Sequence, residues 1–340
     1  MTVALTLGKF APFHRGHQRV IDTALAECSR VVVLAYDAPE VTSVPLPVRA
    51  GWIRRLYPAV EVVEIWDGPA EIGDDPDVRA RHEKTIFAAL ERHGGPAVTH
   101  FYSSEPYGAH VSDALGAVDR RVDPERLGVP ASGTAIRADP WKHRALLAPE
   151  VYGDLVARVV FLGAPSTGKT TLAKALAERY STVWMPEYGR DYWLEHQVDR
   201  RLTPEQLVEI AEGHRQREEA LLLEARRFLF VDTDATTTRM FALDYHDSAH
   251  PRLEALASDS RERYDLFVVC RDDIPYDDTW ERSGAVYRER FHRQTLADLL
   301  ARRIPFITVE GSVENRLARL VPILDRFDRF RSLGDQLLAG

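Results

Sequence analysis

The chain has 340 residues, 45% of them apolar, which is enough for two domains with ordinary hydrophobic cores, and its net charge is −8. This acidic balance argues against a general nucleic-acid-binding protein, because such proteins are usually basic. No apolar run approaches the roughly 18 to 20 residues that cross a bilayer, and the first residues carry no basic segment of a signal peptide, so we expect a cytoplasmic protein without membrane partners.

Apolar runs alternate with helical patterns through the N-terminal half. Strands are predicted at Val3–Leu7, Val31–Ala35, Val60–Ile65 and Ala97–Ser103, and helices at His17–Cys28, Arg49–Leu56 and Val78–Arg92. Continuous apolar runs of this length are typical of buried parallel strands. The alternation therefore predicts a parallel sheet with helices on both faces.

A first phosphate-binding motif follows the first predicted strand. Gly8, Lys9 and Phe10 lead to His14 and His17, an HxGH pattern at the start of a predicted helix. Ligands bind at this edge of open α/β sheets, and a helix N-terminus offers free N–H groups to an anion. Adenylyl transfer needs hydrogen-bond donors that stabilise negative charge, so we predict that both histidines are catalytic. We also predict that all five residues bind ATP. Surface histidines on a turn are the alternative.

A second element, Ser132-Gly133-Thr134-Ala135-Ile136-Arg137, places hydroxyl groups before a short helix and an arginine one turn into it. Hydroxyls, amides and a guanidinium at a helix start are phosphate ligands. We therefore add Ser132, Gly133, Thr134 and Arg137 to the ATP site. HxGH followed by SGTxIR resembles the nucleotidyltransferase superfamily with a Rossmann-like core. The resemblance implies that His14 and the SGTxIR residues contact ATP phosphates and that His17 acts at the α-phosphate.

The C-terminal half repeats the alternation. Strands are predicted at Arg158–Leu162, Thr182–Met185, Phe228–Val231, Asp265–Cys270 and Phe306–Val309, and helices at Lys169–Arg179 and Pro204–Arg226. We expect the domain boundary near Pro149–Ala157, which gives a nucleotidyltransferase domain at 1–153 and a kinase domain at 154–340. Both domains are predicted to be α/β folds built on parallel sheets.

The second phosphate motif is a complete GxxxxGK[ST] loop between a predicted strand and a predicted helix. In this motif the backbone amides cradle phosphate, the lysine reaches the transferred phosphoryl group and the hydroxyl residue ligates Mg²⁺. A chance glycine turn is the alternative. The predicted ATP-binding residues of the loop and the following turn are Gly163, Ser166, Thr167, Gly168, Lys169, Thr170 and Thr171.

Two acidic residues, Asp232 and Asp234, follow the strand Phe228–Val231. A carboxylate at a strand end is the expected second ligand of Mg²⁺ in such kinases, and a carboxylate base is needed near the acceptor hydroxyl. We predict Asp232 with Thr170 at the metal and Asp234 at the substrate, although Asp234 could instead cap the next helix. The identity of the base stays open between Asp232, Asp234 and Glu187.

Two further segments are candidates for substrate binding. Acidic, aromatic and arginine side chains after the strand Thr182–Met185 suit a sugar and a heteroaromatic ring, or else form an ordinary helix start with core aromatics. These side chains are Glu187, Tyr188, Arg190 and Asp191. Tyr276 and Trp280 are predicted to stack on a substrate ring, and Arg282 to close over ATP. The other arginines of that region, Arg288, Arg290 and Arg293, are predicted to face solvent on a helix.

The combined pattern resembles the bifunctional nicotinamide-nucleotide adenylyltransferase/ribosylnicotinamide kinase family of the NadR type. The resemblance covers essentially the whole chain. It rests on GKFAPFHRGH, SSEPYG, DRR, SGTAIRADPWKH, GAPSTGKTT, PEYGRDYW, VDTDATTT and DDIPYDDTWERSG, in this order. It implies phosphorylation of nicotinamide riboside by ATP and Mg²⁺ to nicotinamide mononucleotide (NMN), then adenylyl transfer from ATP to NMN, giving NAD and pyrophosphate.

Other hypotheses for the function of the chain stay open. The chain could be another adenylyl- or cytidylyltransferase fused to a different small-molecule kinase, or a nucleotide sensor without turnover. Some members of the family carry an N-terminal helix-turn-helix domain, for which a first strand at Val3 leaves no room, so a repressor role is not expected. The resemblance also leaves a homo-oligomer open.

Overall fold

Two five-stranded parallel sheets organise the protein, one in each of two units, Met1–Tyr152 and Gly153–Gly340. The computed structural model describes residues 1–68, 75–95, 97–105, 108–275, 285–332, 334 and 336, and all structural statements concern these residues. The predicted fold class, two parallel-sheet α/β domains, is confirmed.

The sheet of the N-terminal unit has the order β3-β2-β1-β4-β5. Its strands are β1 (Val3–Gly8), β2 (Arg30–Tyr36), β3 (Glu61–Ile65), β4 (His100–Ser103) and β5 (Val118–Arg121). In the register of β1 and β2, Gly8 pairs with Ala35, so both strands end at the same edge of the sheet. The strands β1 and β2 are buried along almost their whole length, as their continuous apolar runs predicted.

The helices of this unit are α1 (Arg15–Glu27), α2 (Leu46–Leu56), α3 (Pro76–Arg92), α4 (Gly108–Leu115), α5 (Gly133–Ala138) and α6 (Pro149–Leu155), of which α6 runs across the division between the units. Several begin at sequence signals for a helix start. Asp75 caps α3 by accepting from the backbone N–H of Asp77 at 2.9 Å, with Pro76 in the first helical position. Helix α1 starts directly after His14, which therefore lies at the edge where β1 ends.

The sheet of the C-terminal unit has the order β10-β9-β6-β8-β7. Its strands are β6 (Ala157–Leu162), β7 (Trp184–Met185), β8 (Phe228–Asp232), β9 (Leu266–Cys270) and β10 (Phe306–Val309). Its helices after α6 are α7 (Lys169–Arg179), α8 (Tyr188–His196), α9 (Pro204–Leu222), α10 (Ala235–His246), α11 (Pro251–Arg263), α12 (Ala285–Ala301) and α13 (Val313–Arg326). The apolar residues of its central strands are buried, and α7 and α13 pack against them in one core cluster.

The structure corrects several predicted bounds. The strand expected at Thr182–Met185 is only Trp184–Met185, and the helix expected to reach Arg226 ends at Leu222. The edge strand β5 was not predicted, because its sequence Val-Asp-Arg-Arg is polar and mostly exposed and so lacks the apolar signal of a buried strand. Among the described residues, no helix is long and apolar enough to span a bilayer.

Candidate active sites

A cavity of ≈ 380 Å³ opens at the edge of the N-terminal sheet where β1 and β4 end. It brings together residues that lie more than a hundred positions apart in the sequence. Of the predicted ATP-binding residues, it is lined by Gly8, Lys9, Phe10, His14, His17, Gly133 and Arg137. The two motifs of the N-terminal half therefore face one cavity, as a single nucleotide site requires.

Helix α1 holds the two histidines against each other. The backbone N–H of His14 donates to Nδ1 of His17 at 3.3 Å, so the proton of a neutral His17 ring resides on Nε2. The two rings stack with centroids 3.7 Å apart. Phe10 and Phe13 pack against His17 with centroids 5.0 Å and 5.8 Å away, which fixes the ring orientation. The pair is thus a rigid, oriented feature of the cavity wall.

Both histidines are held neutral in the free protein. Burial, and then the positive charge of Arg126, lower the pKa of His14 from its ordinary value to about 4. Burial lowers the pKa of His17 well below its ordinary value, with His14 and Arg126 adding to the effect. A neutral imidazole still donates one hydrogen bond, and an anionic ligand in the cavity would favour the protonated rings.

These lowered pKa values predict acid sensitivity. Because the unfolded chain binds more protons than the folded one between about pH 6.5 and pH 4, the stability present above about pH 6.5 is lost as the pH falls. His14 contributes on the order of 3 kcal/mol of this loss. We expect the drop in thermal midpoint between about pH 7 and about pH 4.5 to be smaller in His14→Gln than in the wild type. His93→Gln, which replaces an exposed histidine, is the control. If it reduced the drop in thermal midpoint as much as His14→Gln does, the assignment to His14 would be wrong.

The SGTxIR element joins helix α5 to the loop after β1. Ser132 caps α5, since its hydroxyl accepts from the N–H of Ala135 at 3.4 Å. Arg137 donates to the carbonyl of Ala11 at 2.6 Å and to the hydroxyl of Thr134 at 3.1 Å. In this structure Ser132 and Thr134 hydrogen-bond within the chain, and neither lines the cavity described above.

Two arginines of this unit were not singled out from the sequence. Arg126 lines the cavity, pairs with Glu105 and lies close enough to both histidines to lower their pKa values. Arg49 is fully buried and donates to the backbone carbonyls of Tyr36 at 2.7 Å and Lys9, so it braces the ends of β1 and β2. Arg49 could have been found from the sequence, because it is a charged residue on the apolar face of α2. Nothing in the sequence marks Arg126.

The glycine loop of the C-terminal unit is preformed. Gly163, Ser166 and Gly168 have φ angles of +135°, +59° and +79°, and a Cβ on Gly163 would lie 2.5 Å from the carbonyl oxygen of Cys270. Lys169 starts helix α7 and donates from Nζ to the carbonyl of Ala164 at 2.9 Å. Left-handed residues in a short loop can turn successive backbone N–H groups toward one concavity, which is the geometry of an anion-binding nest.

Asp232 lies at the end of β8, directly opposite the start of α7. Thr170 donates from Oγ1 to Oδ2 of Asp232 at 2.5 Å, while the buried Oδ1 has no hydrogen-bond partner among the described residues. Burial, and then the charge of Glu187, raise the pKa of Asp232 to about 7, against the opposing charge of Lys169. A buried carboxylate with an unused oxygen beside a threonine hydroxyl is a fitting pair of ligands for Mg²⁺, which keeps several waters and substrate oxygens.

Asp234 is not part of this pair. Its side chain caps α10 by accepting from the N–H groups of Thr236 at 2.9 Å and Thr237 at 3.4 Å, and it is buried. Thr233 has a φ of +66°, so the chain turns between the two acids and sends them to different partners. The structure therefore shows the helix-cap alternative and does not bring Asp234 into the site.

The segment after β7 is divided between the site and the core. The charge of Glu187 raises the pKa of Asp232 and that of Arg190 lowers it, so both side chains lie near this carboxyl group. Tyr188 stacks under Arg217, 3.6 Å from its guanidinium carbon, and packs against a core cluster, while Asp191 is exposed. For Tyr188 the structure therefore shows the alternative interpretation, an aromatic residue of the core at a helix start.

One prediction for the segment of Tyr276, Trp280 and the arginines that follow is corrected. Tyr276, Trp280 and Arg282 lie outside the described residues. Arg288 was predicted to face solvent, which is wrong: it is 6% exposed and donates to the carbonyl of Ser166 in the glycine loop. Arg290, which shares its helix, has a half-exposed side chain paired with Asp244. Thr171 is exposed in the first turn of α7.

Comparison with known proteins found a matching family model, relatives and solved structures. The family described as AAA domain matches residues 158–316, which contain the glycine loop and Asp232. The trifunctional NAD biosynthesis/regulator protein NadR of Escherichia coli (strain K12) is 27% identical over 345 residues, covering 95% of this chain and 82% of that protein.

Two solved structures share the fold. The crystal structure of NadR protein in complex with NAD and AMP-PNP has a TM-score of 0.52 and 21% identity, covering 99% of this chain and 95% of that chain. The crystal structure of NadR protein in complex with NR has a TM-score of 0.52 and 22% identity, covering 92% of this chain and 91% of that chain. The resemblance drawn from the motifs is confirmed, and the chain is a homologue of the NadR proteins.

Proposed function

We propose that the protein is a bifunctional enzyme of NAD biosynthesis. The C-terminal unit transfers the γ-phosphoryl group of ATP to the 5′-hydroxyl of nicotinamide riboside, and the N-terminal unit joins the resulting NMN to AMP. The proposal is supported by two features of one homologue of NadR: a cavity lined by His14 and His17 in one unit, and in the other a glycine loop whose Thr170 bonds Asp232. NadR proteins have been crystallised with NAD, AMP-PNP and NR, and these ligands correspond to the product, the ATP analogue and, as we interpret NR, the riboside.

The kinase step uses the glycine loop and the residues around Asp232. The loop amides and Lys169 hold the ATP phosphates, and Thr170 with Asp232 would hold Mg²⁺, which neutralises phosphate charge when bound. A carboxylate that holds a metal ion is unprotonated and no longer available as a base. Because Asp234 is committed to capping α10, Glu187 is left as the base that accepts the proton of the riboside hydroxyl.

The transferase step uses the cavity of the N-terminal unit. A phosphate oxygen of NMN attacks the α-phosphorus of ATP in line, a new P–O bond forms, and pyrophosphate leaves with the electrons of the broken bond. His14 and His17 donate hydrogen bonds to the phosphate oxygens as negative charge develops, and Arg126 and Arg137 supply fixed positive charge at the same cavity. No protein nucleophile is needed. The product of the first step is the acceptor of the second, which gives a chemical reason for joining the units.

Incubation with nicotinamide riboside, ATP and Mg²⁺, followed by chromatography, tests the proposal. We expect NAD and pyrophosphate to accumulate, because each unit supplies one step. Accumulation of NMN alone would leave only the kinase. Consumption of ATP with an unchanged riboside pool would point to a different acceptor, and nucleotide binding without any turnover would favour a sensor. Addition of NMN in place of the riboside isolates the second step.

A further inference from the structure

Two arginines from different helices donate to consecutive carbonyls of the glycine loop. Arg288 of α12 reaches the carbonyl of Ser166 with Nη2 at 3.2 Å and that of Ile274 with Nη1 at 2.9 Å. Arg316 of α13 donates from Nη1 to the carbonyl of Thr167 and from Nε to that of Gly311 at 3.0 Å. Each guanidinium therefore ties the loop to a second segment of the same unit.

The two guanidiniums are buried, unlike those of other arginines on the same helices. The side chain of Arg316 is 2% exposed and also pairs with Asp273 at 2.8 Å. On α12, the side chain of Arg293 is 70% exposed and contacts only Glu289 of its own helix among the ion pairs of the described residues. Burial of a charged group costs free energy unless its donors are used. Each guanidinium gives one Nη donor to the loop, at Ser166 or Thr167, and gives others to carbonyls outside it, so the two arginines join the loop to the rest of the unit.

Fixing these carbonyls fixes the phosphate-binding face of the loop. A peptide unit is planar, so a carbonyl held outward by a guanidinium turns the N–H of the same peptide unit toward the opposite side. The carbonyls of Ser166 and Thr167 share their peptide units with the N–H groups of Thr167 and Gly168, which belong to the glycine loop. Ser166 adopts a φ of +59°, a costly conformation for a residue other than glycine, and the hydrogen bond to its carbonyl offsets part of that cost.

We propose that Arg288 and Arg316 are positioning residues of the kinase site that preorganise the glycine loop for the ATP phosphates. They act through the loop backbone, and their charge beside a buried site adds to the attraction for a polyanion. This inference rests on the proposed function only for its kinetic readout, because nucleotide binding at the loop can be measured without any acceptor. Arg290 and Arg293 have no such role.

The test compares Arg288→Ala with Arg293→Ala, an arginine of the same helix that faces solvent. Calorimetric titration with Mg²⁺ and AMP-PNP measures binding, and the signal lost in Lys169→Ala defines the glycine-loop site. We expect Arg288→Ala to weaken binding at that site about tenfold and to raise the KM for ATP of riboside phosphorylation by a similar factor. The KM for the riboside should stay near the wild-type value. Arg288→Lys keeps the charge but lacks the planar fork that spans the two carbonyls, so it should recover only part of the loss.

Adenylyl transfer from supplied NMN serves as the folding control, because it uses the other unit. Binding by Arg288→Ala within twofold of Arg293→Ala would overturn the proposal, as would a wild-type protein that binds no AMP-PNP at the loop. Arg316→Lys gives a second test if Arg288→Ala does not fold, and it too should weaken AMP-PNP binding rather than riboside binding. If AMP-PNP binding follows these expectations while the riboside is never phosphorylated, the proposed acceptor is wrong and the role of the two arginines stands.

Discussion

Lys169→Ala should reduce riboside phosphorylation by about a thousandfold or more while adenylyl transfer from supplied NMN stays near the wild-type rate. Lys169 is buried at the start of α7 and its amino group already lies inside the loop, 2.9 Å from the carbonyl of Ala164. Under the proposed function it is the cation that stabilises the charge moving to the leaving oxygen, and preorganised groups of this kind dominate phosphoryl transfer. Parallel assays with riboside and with NMN measure the two effects.

The matched control is Lys174→Ala, since Lys174 lies on the same helix and is exposed. That change should leave both activities near wild type. Because Lys169 is buried, the variant also needs a thermal unfolding curve to show that the C-terminal unit stays folded. Loss of both activities in a folded Lys169→Ala protein would be incompatible with two independent sites. Retention of riboside phosphorylation would remove the glycine loop from the reaction.

The fold and the two loops could be predicted because their signals are local. Buried parallel strands such as β2 and β8 require continuous apolar runs, and these runs are visible without knowing any tertiary contact. The glycine loop needs left-handed backbone at fixed positions, which restricts the residue types at Gly163 and Gly168. The polar edge strand β5 lacked such a signal because its side chains are not buried.

The different hydrogen-bond partners of Asp232 and Asp234 could not be predicted, because they depend on one backbone angle. Both acids follow the same strand, and either could have reached the site. The left-handed Thr233 between them leaves Asp232 facing Thr170 and turns Asp234 into the cap of α10. Threonine has no special preference for this conformation, so the sequence carries no mark of the turn.

The supporting arginines were missed for a related reason. Arg288 and Arg293 stand on one helix, yet of these two only Arg288 is buried against the glycine loop. Helix α12 has no clear apolar stripe that would show which face is inward. Arg126 lies in a turn that Asp123 closes by accepting from the N–H of Val129 at 2.9 Å. Its approach to the histidines depends on that tertiary placement.

His17→Ala should have the opposite effect to Lys169→Ala: riboside phosphorylation continues, NMN accumulates, and adenylyl transfer falls by on the order of a hundred- to a thousandfold. His17 accepts the N–H of His14 at Nδ1, which leaves Nε2–H free to donate, and in the proposed reaction this donor bonds the α-phosphate. Removal of the ring also leaves His14 without its stacking partner at 3.7 Å. Quantifying NMN and NAD from one incubation measures both effects in a single sample.

His17→Asn separates chemistry from helix capping. Its amide oxygen can still accept the N–H of His14, so α1 should keep its start, while the imidazole donor is lost. We therefore expect His17→Asn to melt close to the wild type and yet to transfer adenylyl groups as poorly as His17→Ala. Near-normal transfer by His17→Asn would reduce His17 to a capping residue and would leave His14, Arg126 and Arg137 to stabilise the developing charge, because these three groups face the same cavity.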